Sequence, residues 1–512
     1  MSHLPILPIL LPLVAAILLL VTSGLETAAK RAVSLAAFGL LAIVAVVCLV
    51  TAADGTVRVY RLGDWPAPYG IVLMLDRLSA IMVALTSGLA IAVCLAATSG
   101  TDTQGKQFHA FLQFQIAGLN GAFLTGDLFN LFVFFEILLL ASYALLVHGG
   151  GLARARAGLS YVVLNLCGSA LFLVALGLLY GTLGTLNMAD LAVVLPQVAE
   201  ADKALVKVVV TLLAVVFLLK AALLPIGFWL PHVYTAATLP VASLFVIMTK
   251  VGIYALLRVS AIGFAAAPFT ADLLQPWLPW LALGTILIGC VGVLAAKRLG
   301  IIVANLVLIS GGTLLLGVAE LSAASISALI FYMVQSTVVT GALFLLVDAL
   351  ARQRGEVGDA LEDGPKVAGM LTLGGAYLLL AIAVSGAPPL TGFLGKLMVL
   401  QSLRETETGT AAWFVLLLSG LIVVLVLARA ASVVFWEPGS PGTEKHATVT
   451  LVAAPGLSWA LILMLAAVPV LTVAASPVSA YARATADQLL SRDAYVAAVI
   501  GDPSAIKRER RP

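Results

Sequence analysis

The sequence predicts an all-α integral membrane protein with about fourteen transmembrane helices, and three observations support this fold class. Hydrophobic residues make up 62% of the 512 residues and charged residues only 10%, whereas soluble proteins carry about 25% charged residues. The mean hydropathy of +1.12 is too high for a water-soluble fold of this size. The apolar residues also fall into runs of about 20, the length that spans the hydrocarbon core as a helix.

Counting these runs predicts fourteen segments. In order they are 4–22, 31–53, 71–98, 108–126, 128–148, 160–184, 206–231, 240–263, 276–297, 300–320, 324–350, 367–403, 411–436 and 450–475. We expect the first to be a retained helix, because no Lys or Arg precedes it and it is longer than the apolar core of a signal peptide. The semi-polar stretch 187–207 is expected along the membrane interface. In the tail, residues 477–499 are mildly amphipathic and residues 507–511 are expected to be disordered.

Loop charges predict the orientation in the membrane. If the N-terminus faces outward, the inner loops hold twelve Lys and Arg residues and the outer loops hold seven, with Arg258 counted among the outer ones. This asymmetry follows the positive-inside rule and favours both termini outside. The tail adds six cations on the outer side and opposes this orientation, and an odd number of spans would move the tail to the inner side.

Two segments are interrupted by proline. The seventh carries Pro225 and the twelfth carries Pro388 and Pro389. A proline in mid-helix removes a backbone donor and clashes with the preceding turn, and in lipid the freed carbonyls need partners from protein or water. Paired interrupted segments are typical of transporters with internal repeats and a site at mid-membrane. Two unrelated kinks are the alternative.

Four charged residues are the candidates for charges at membrane depth: Glu136, Lys220, Lys250 and Lys396. A charge at membrane depth costs at least about 2.5–3.5 kcal/mol on insertion scales, so each needs a partner or a hydrated cavity. Glu136 has no polar residue within five positions and therefore predicts a buried cation opposite it. For Lys250 and Lys396, a side chain that extends to the membrane interface is the alternative.

Lys220 is the predicted partner of Glu136. An isolated buried lysine tends to release its proton, whereas a lysine beside a carboxylate keeps it. A change in the distance between the two side chains would therefore load and release a proton. A static ion pair between helices is the alternative, but buried ion pairs stabilise proteins less well than apolar packing does.

Other polar residues carry weaker predictions. His232, at the end of the seventh segment, is a candidate accessory relay because imidazole titrates near neutral pH; a plain interfacial histidine is the alternative. Asp127 is expected to cap the fifth segment. The sequence contains no nucleotide-binding glycine loop, metal-ligand cluster or nucleophile elbow, so we expect no cofactor, no metal and no covalent catalysis. The net charge of +3 and the absence of a basic aromatic surface argue against nucleic acid as a partner.

Three stretches of sequence, residues 125–136, 220–258 and 385–396, resemble the D-type subunit of the Mrp-type multisubunit cation/proton antiporters. The same superfamily contains the antiporter-like, proton-pumping subunits of respiratory complex I. The resemblance implies two inverted five-helix repeats, each with a broken helix. It divides the chain into N-terminal helices 1–3 (1–107), a first repeat (108–263), a second repeat (264–436), and helix 14 with the tail (437–512).

The resemblance also implies roles for the buried charges. Glu136 and Lys220 would be the paired switch, Lys250 the central relay and Lys396 the distal terminal residue. In the eleventh segment the family often carries His-Asp followed by Lys. This chain departs from that pattern with the uncharged side chains Gln335, Ser336 and Thr340, which we expect to act as accessory relay residues by holding water.

The expected function is therefore proton translocation within a multisubunit Na+/H+ antiporter in the bacterial cell membrane. The expected partners are the other subunits of the complex, the lipid bilayer and protons, and the resemblance implies no activity for the chain alone. One alternative is a proton-pumping subunit of complex I or of a membrane hydrogenase. The other is a structural membrane subunit that transports nothing, which would tolerate neutral substitutions of the buried charges.

Overall fold

A computed structural model describes residues 3–436 and 455–501, and this part of the chain is almost entirely helical. The helices are α1 (Leu7–Val21), α2 (Thr27–Ala52), α3 (Arg77–Ala97), α4 (Phe108–Leu124), α5 (Leu128–Leu146), α6 (Leu152–Leu183), α7 (Met188–Val194), α8 (Glu200–Lys220), α9 (Trp229–Ala236), α10 (Leu239–Ile262), α11 (Pro268–Ala271), α12 (Leu278–Ala295), α13 (Leu299–Glu320), α14 (Ala323–Arg354), α15 (Met370–Ser385), α16 (Thr391–Ser402), α17 (Gly409–Ala431), α18 (Pro455–Val473), α19 (Ala475–Leu490) and α20 (Arg492–Ile500).

Eleven helices in the described ranges are long and apolar enough to cross a membrane. This confirms the predicted class of all-α membrane protein. The other three predicted segments are the 17-residue helix α4 and two segments that are interrupted. The count of fourteen spans stays a prediction, as does the division into repeats. Helices α10, α13 and α14 are almost wholly buried and form the centre, whereas α2 and α6 expose most of their surface.

Both predicted interruptions are present. The seventh segment divides into α8 and α9, with Pro225 in the connection, and the twelfth divides into α15 and α16, with Pro389 in the connection. At each break a side chain takes up a freed carbonyl. Trp229 Nε1 donates to the carbonyl of Leu219 at 3.3 Å. Lys396 Nζ donates to the carbonyl of Ser385 at 2.8 Å. At each break, one carbonyl thus accepts a hydrogen bond from a side chain of the protein, as the hydrocarbon environment favours.

A two-stranded antiparallel sheet precedes α3, where the sequence predicted the start of the third helix. Strand β1 (Arg58–Arg61) pairs with β2 (Val72–Leu75), with Arg58 opposite Leu75. The prediction of helix over 72–75 was wrong because all four residues of β2 are apolar and buried, and a short apolar run does not distinguish a buried strand from a helix. Asp76 follows β2 and caps α3 by accepting from the backbone N–H of Ser79.

The stretch after α6 and the tail pack onto the helical core. Residues 188–192 of α7 are buried and lie against α20. The position of 187–207 along the membrane interface stays a prediction. Helix α19 buries Ala482, Ala486 and Leu489 on one face, against α14 and α3. Residues 507–511, which the sequence predicts to be disordered, lie outside the described residues.

Asp76 and Arg258 form a buried ion pair that ties the start of α3 to the end of α10. Both nitrogens at the tip of the guanidinium bind the carboxylate, one of them at 2.9 Å, and the guanidinium also donates to the hydroxyl of Tyr254. The prediction of Arg258 as a loop cation was therefore wrong. Burial alone would raise the pKa of the Asp76 carboxyl, and Arg258 more than offsets this and holds that pKa below its usual range.

We expect Asp76→Asn to lower the free energy of unfolding by about 3–5 kcal/mol, because it leaves the Arg258 charge buried and uncompensated. Since the pKa of Asp76 is lowered on folding, the pair stabilises the protein at neutral pH and loses this effect only as the pH falls through the folded-state pKa. Chemical denaturation in detergent measures the change. Asp54→Asn breaks an exposed pair with Arg58 and should leave the stability nearly unchanged, because water screens exposed ion pairs. Equal effects of the two variants would contradict this account.

Candidate proton-transfer site

Glu136 on α5 and Lys220, the last residue of α8, are brought together through α6. Ser169 Oγ donates a short hydrogen bond to Glu136 Oε1. Lys220 Nζ donates to Ser169 Oγ at 3.2 Å and to Asn165 Oδ1 at 3.4 Å. The carboxylate and the ammonium are not within the 4.0 Å of a salt bridge. The hydroxyl of Ser169 therefore links the predicted partners, accepting from one and donating to the other.

Close helix packing holds this link in place. A Cβ on Gly168 would lie 3.1 Å from the side chain of Leu219, so this glycine lets α6 approach α8 just where Ser169 meets Lys220. Asp127 caps α5, accepting from the backbone N–H of Asn130 at 2.9 Å, which confirms the predicted cap. The cap fixes where α5 begins, nine residues before Glu136.

The surroundings of the two charged groups differ. Lys220 is only 5% exposed, and its Nζ lies 5.8 Å from the centre of the Phe135 ring, close enough for a cation–π interaction. Glu136 is partly exposed on the flank of the chain, on a face of α5 that also exposes Phe129, Val133 and Leu140. The ammonium is therefore enclosed, whereas the carboxylate lies near a lateral surface that is otherwise apolar.

Lys250 lies in the middle of α10 and is completely buried. It does not extend to an interface, so the alternative of a snorkelling side chain is wrong. Its Nζ makes one long hydrogen bond, 3.5 Å to the hydroxyl of Thr249, and no carboxylate of the described residues lies within 4.0 Å. An ammonium has three donors, so this group depends on water or on a change of protonation to be satisfied.

The contact between α8 and α10 places Lys220 beside the helix of Lys250. A Cβ on Gly252 would lie 2.6 Å from the backbone nitrogen of Ala221, so only glycine permits this approach. Gly252 is two residues from Lys250, and Ala221 is the neighbour of Lys220. The structure thus places Lys220 and the central lysine on two helices whose backbones are in contact.

Lys396 lies on α16 and is buried at the second break. Its hydrogen bond to the carbonyl of Ser385 keeps the ammonium at this break. The side chain fits because Gly386 has no Cβ, which would lie 2.5 Å from Lys396 Cδ; the positive φ of Gly386 also favours glycine. Gln335 on α14 reaches the same broken helix, since its Nε2 donates to the carbonyl of Ala383 at 3.1 Å.

The remaining predicted relay residues are placed less directly. The hydroxyl of Thr340 donates to the carbonyl of Ser336 at 2.6 Å, and the hydroxyl of Ser336 donates to the carbonyl of Met333 at 3.3 Å. Both side chains are buried, and each oxygen keeps lone pairs that can accept from water. His232 is exposed on α9, apart from the buried lysines. The relay roles of all three stay predictions.

Sequence reasoning missed Ser169 and Asn165. They lie four residues apart in an otherwise apolar segment, a spacing that places both on one face of a helix. That pair of polar residues is the signal that would have found them. Among the described residues, no three His, Cys, Asp or Glu side chains are grouped in a way that could hold a metal ion.

Comparison with known proteins gives consistent similarities. Residues 125–425 match the family model described as NADH:quinone oxidoreductase/Mrp antiporter, transmembrane. The chain is 40% identical to the D-type subunit of a probable K(+)/H(+) antiporter of Rhizobium meliloti, over 99% of each chain. It is 35% identical to the D-type subunit of the Na(+)/H(+) antiporter of Bacillus subtilis, over 98% of this chain and 100% of that one.

Two solved complexes contain chains of the same fold. A chain in the structure of the Mrp complex from Dietzia sp. DQ12-45-1b is 25% identical, with a TM-score of 0.85 over 98% of this chain and 99% of that one. A chain of respiratory complex I from Thermus thermophilus is also 25% identical, with a TM-score of 0.78 over 95% of this chain and 99% of that one.

Proposed function

Because this chain belongs to the NADH:quinone oxidoreductase/Mrp antiporter family, we propose that it translocates protons as one component of a multisubunit monovalent cation/proton antiporter. It is part of a secondary transporter rather than an enzyme. The observation that carries the proposal is the hydrogen-bonded link from Lys220 through Ser169 to Glu136. A buried ammonium, a hydroxyl and a carboxylate in series form a path along which a proton can be held or passed.

The link supplies a switch for the protonation of Lys220. When Glu136 is drawn toward it, the negative charge favours the ammonium form; when the link opens, desolvation favours the neutral amine. Released protons pass to Lys250 across the contact between α8 and α10. From there they continue past Gln335 of α14 to Lys396 at the second break, with water joining the side chains.

The lateral face of α5 supports assembly with other subunits. Phe129, Val133 and Leu140 are exposed on the same face as the partly exposed Glu136. A carboxylate on an otherwise apolar surface at membrane depth is costly in lipid, so a protein neighbour is the better cover. Motion of that neighbour would act directly on the Glu136 end of the switch.

The transported cation takes another route in this proposal. A hard cation such as Na+ needs several oxygen ligands, and Glu136 is the one carboxylate that the described residues bring to the switch. The names of the relatives include both K+ and Na+. The test is proton efflux from acid-loaded vesicles that contain the whole complex, after addition of either cation. We expect efflux with at least one of them and none when this chain is omitted; efflux without the chain would overturn the proposal.

Ser169→Ala should lower cation-driven proton flux about 10- to 100-fold, because a hydrogen bond to a charged group contributes about 1.5–3 kcal/mol. Ser169→Thr keeps the hydroxyl and should recover most of the flux. Ser160→Ala on the exposed face of α6 is the matched control. The measurement is flux per assembled complex. Equal flux in wild type and Ser169→Ala would show that the hydroxyl plays no part.

A further inference from the structure

A cavity of about 420 Å³ lies at the end of the helical core that carries the predicted inner loops. It is bounded by the starts of α10 and α13 and by the end of α14, where Thr238, Leu239, Gly300 and Asp348 line it. A space of this size admits many water molecules. Thr238 lies in the wall of the cavity, and its Oγ1 is buried behind that wall with no protein hydrogen-bond partner among the described residues.

Two carboxylates line this cavity, and they differ in how many of their oxygens accept hydrogen bonds from the protein. Asp359 is fully engaged: Oδ1 accepts from Arg298, and Oδ2 accepts from the backbone N–H of Gly300 at 3.0 Å. Among the described residues, Asp348 accepts only from Arg352 Nε, at 3.0 Å on Oδ2. Its Oδ1 has no hydrogen-bond donor among the described residues. Asp359 thus fastens a loop to α13, whereas Asp348 keeps one oxygen available to the cavity.

One face of α14 and one face of α10 connect the cavity with Lys250. Asp348 and Gly341 are seven residues apart on α14, and Ser243 and Lys250 are seven apart on α10, so each pair shares one helix face. The two faces meet at a single hydrogen bond, in which Ser243 Oγ donates to the carbonyl of Gly341 at 2.9 Å. Each seven-residue step is about 10 Å along a helix axis.

We propose that this cavity is the entrance for protons from the inner side, that Asp348 takes them up, and that they travel past the Ser243–Gly341 contact toward Lys250. The step is simple proton transfer: hydronium in the cavity protonates Oδ1, and the carboxyl O–H then gives its proton to water on the α10 side. The inference rests on the proposed function and adds to it a supply of protons from the inner side to the central lysine, besides the transfer from Lys220.

The alternative is that Asp348 has only a structural role, as the partner of Arg352 in an ion pair near the end of α14. The two readings differ in which variants lose transport. If Asp348 carries protons, Asp348→Asn should lower cation-driven proton flux about 100-fold, the range of a lost acid–base group. Asp348→Glu and Arg352→Gln should retain most of the flux. If only the ion pair matters, Asp348→Asn and Arg352→Gln should be impaired alike.

The experiment uses the whole complex in proteoliposomes, with flux expressed per assembled complex. Asp359→Asn is the matched control, since it alters a carboxylate of the same cavity that serves the loop, and its flux should stay near wild type. Glu136→Gln is measured alongside. If Glu136→Gln also transports normally, the proposed function fails; if it is inactive while Asp348→Asn transports normally, only the assignment of Asp348 is overturned.

A second measurement tests access without relying on transport. Thr238→Cys, in a Cys167→Ser background that removes the exposed native thiol, should react with a membrane-impermeant thiol reagent supplied from the inner side. The modified thiol should then block proton flux in this otherwise active variant. A Thr238→Cys thiol that stays unreactive in the assembled complex would overturn the assignment of the cavity as an entrance.

Discussion

Glu136→Gln should abolish cation-driven proton flux while the complex still assembles. The substitution keeps the shape of the side chain and a hydrogen bond with Ser169, but removes the negative charge that favours the ammonium form of Lys220. The switch then has no charge to bring toward the lysine. The expected loss is at least about 100-fold, as for other essential proton-transfer groups.

Flux in proteoliposomes, with the content of each component measured by immunoblot, is the measurement. Glu200→Gln is a suitable control because Glu200 is a carboxylate at the exposed start of α8, where it pairs with Lys203. It should transport as wild type does. Glu136→Asp keeps the charge on a shorter side chain and should give intermediate flux. Normal flux in Glu136→Gln would show that the carboxylate is a structural feature.

Lys250→Met should abolish transport and at the same time stabilise the protein. The ammonium is wholly buried, with one 3.5 Å hydrogen bond and no acidic partner within 4.0 Å among the described residues, so its burial costs free energy that a methionine of similar length does not incur. A residue retained for structure would destabilise the protein when it is replaced. Opposite signs for flux and stability therefore identify a residue retained for function.

The two quantities are measured on the same preparation, as proton flux and as resistance to denaturant in detergent. Lys207→Met is the matched control, because Lys207 is exposed on α8 and its replacement should change neither quantity appreciably. Lys250→Met with normal flux would remove the lysine from the pathway. Lys250→Met with lowered stability would show that packing around the aliphatic chain of Lys250 outweighs the cost of burying its ammonium.

Features of the fold that depend on composition and on short-range sequence patterns could be predicted from the sequence. The membrane class follows from hydropathy, and the break at Pro225 follows from the chemistry of proline. The proposal that Glu136 and Lys220 act together follows from the cost of charge at membrane depth. Each of these signals is contained within one segment, so none of them requires knowledge of how the helices pack.

Features that depend on packing were not predicted. The sequence predicts Arg258 as a loop cation, because its partner Asp76 is 182 positions away in the chain. The role of Ser169 emerges only when α5, α6 and α8 meet. Asp348 lies near the end of its predicted segment, where a carboxylate is ordinary, and it gains interest only from the cavity that it lines.

The most direct test of the central claim is proton flux in a complex that carries Glu136→Gln and Lys220→Met together. If the two residues act as one unit, the double variant should be no more impaired than either single variant, because each alone already disables the switch. We expect flux at the background level in the two single variants and in the double variant, with normal assembly of each complex. Wild-type flux in the assembled double variant would contradict it, since the charged pair could then be dispensed with.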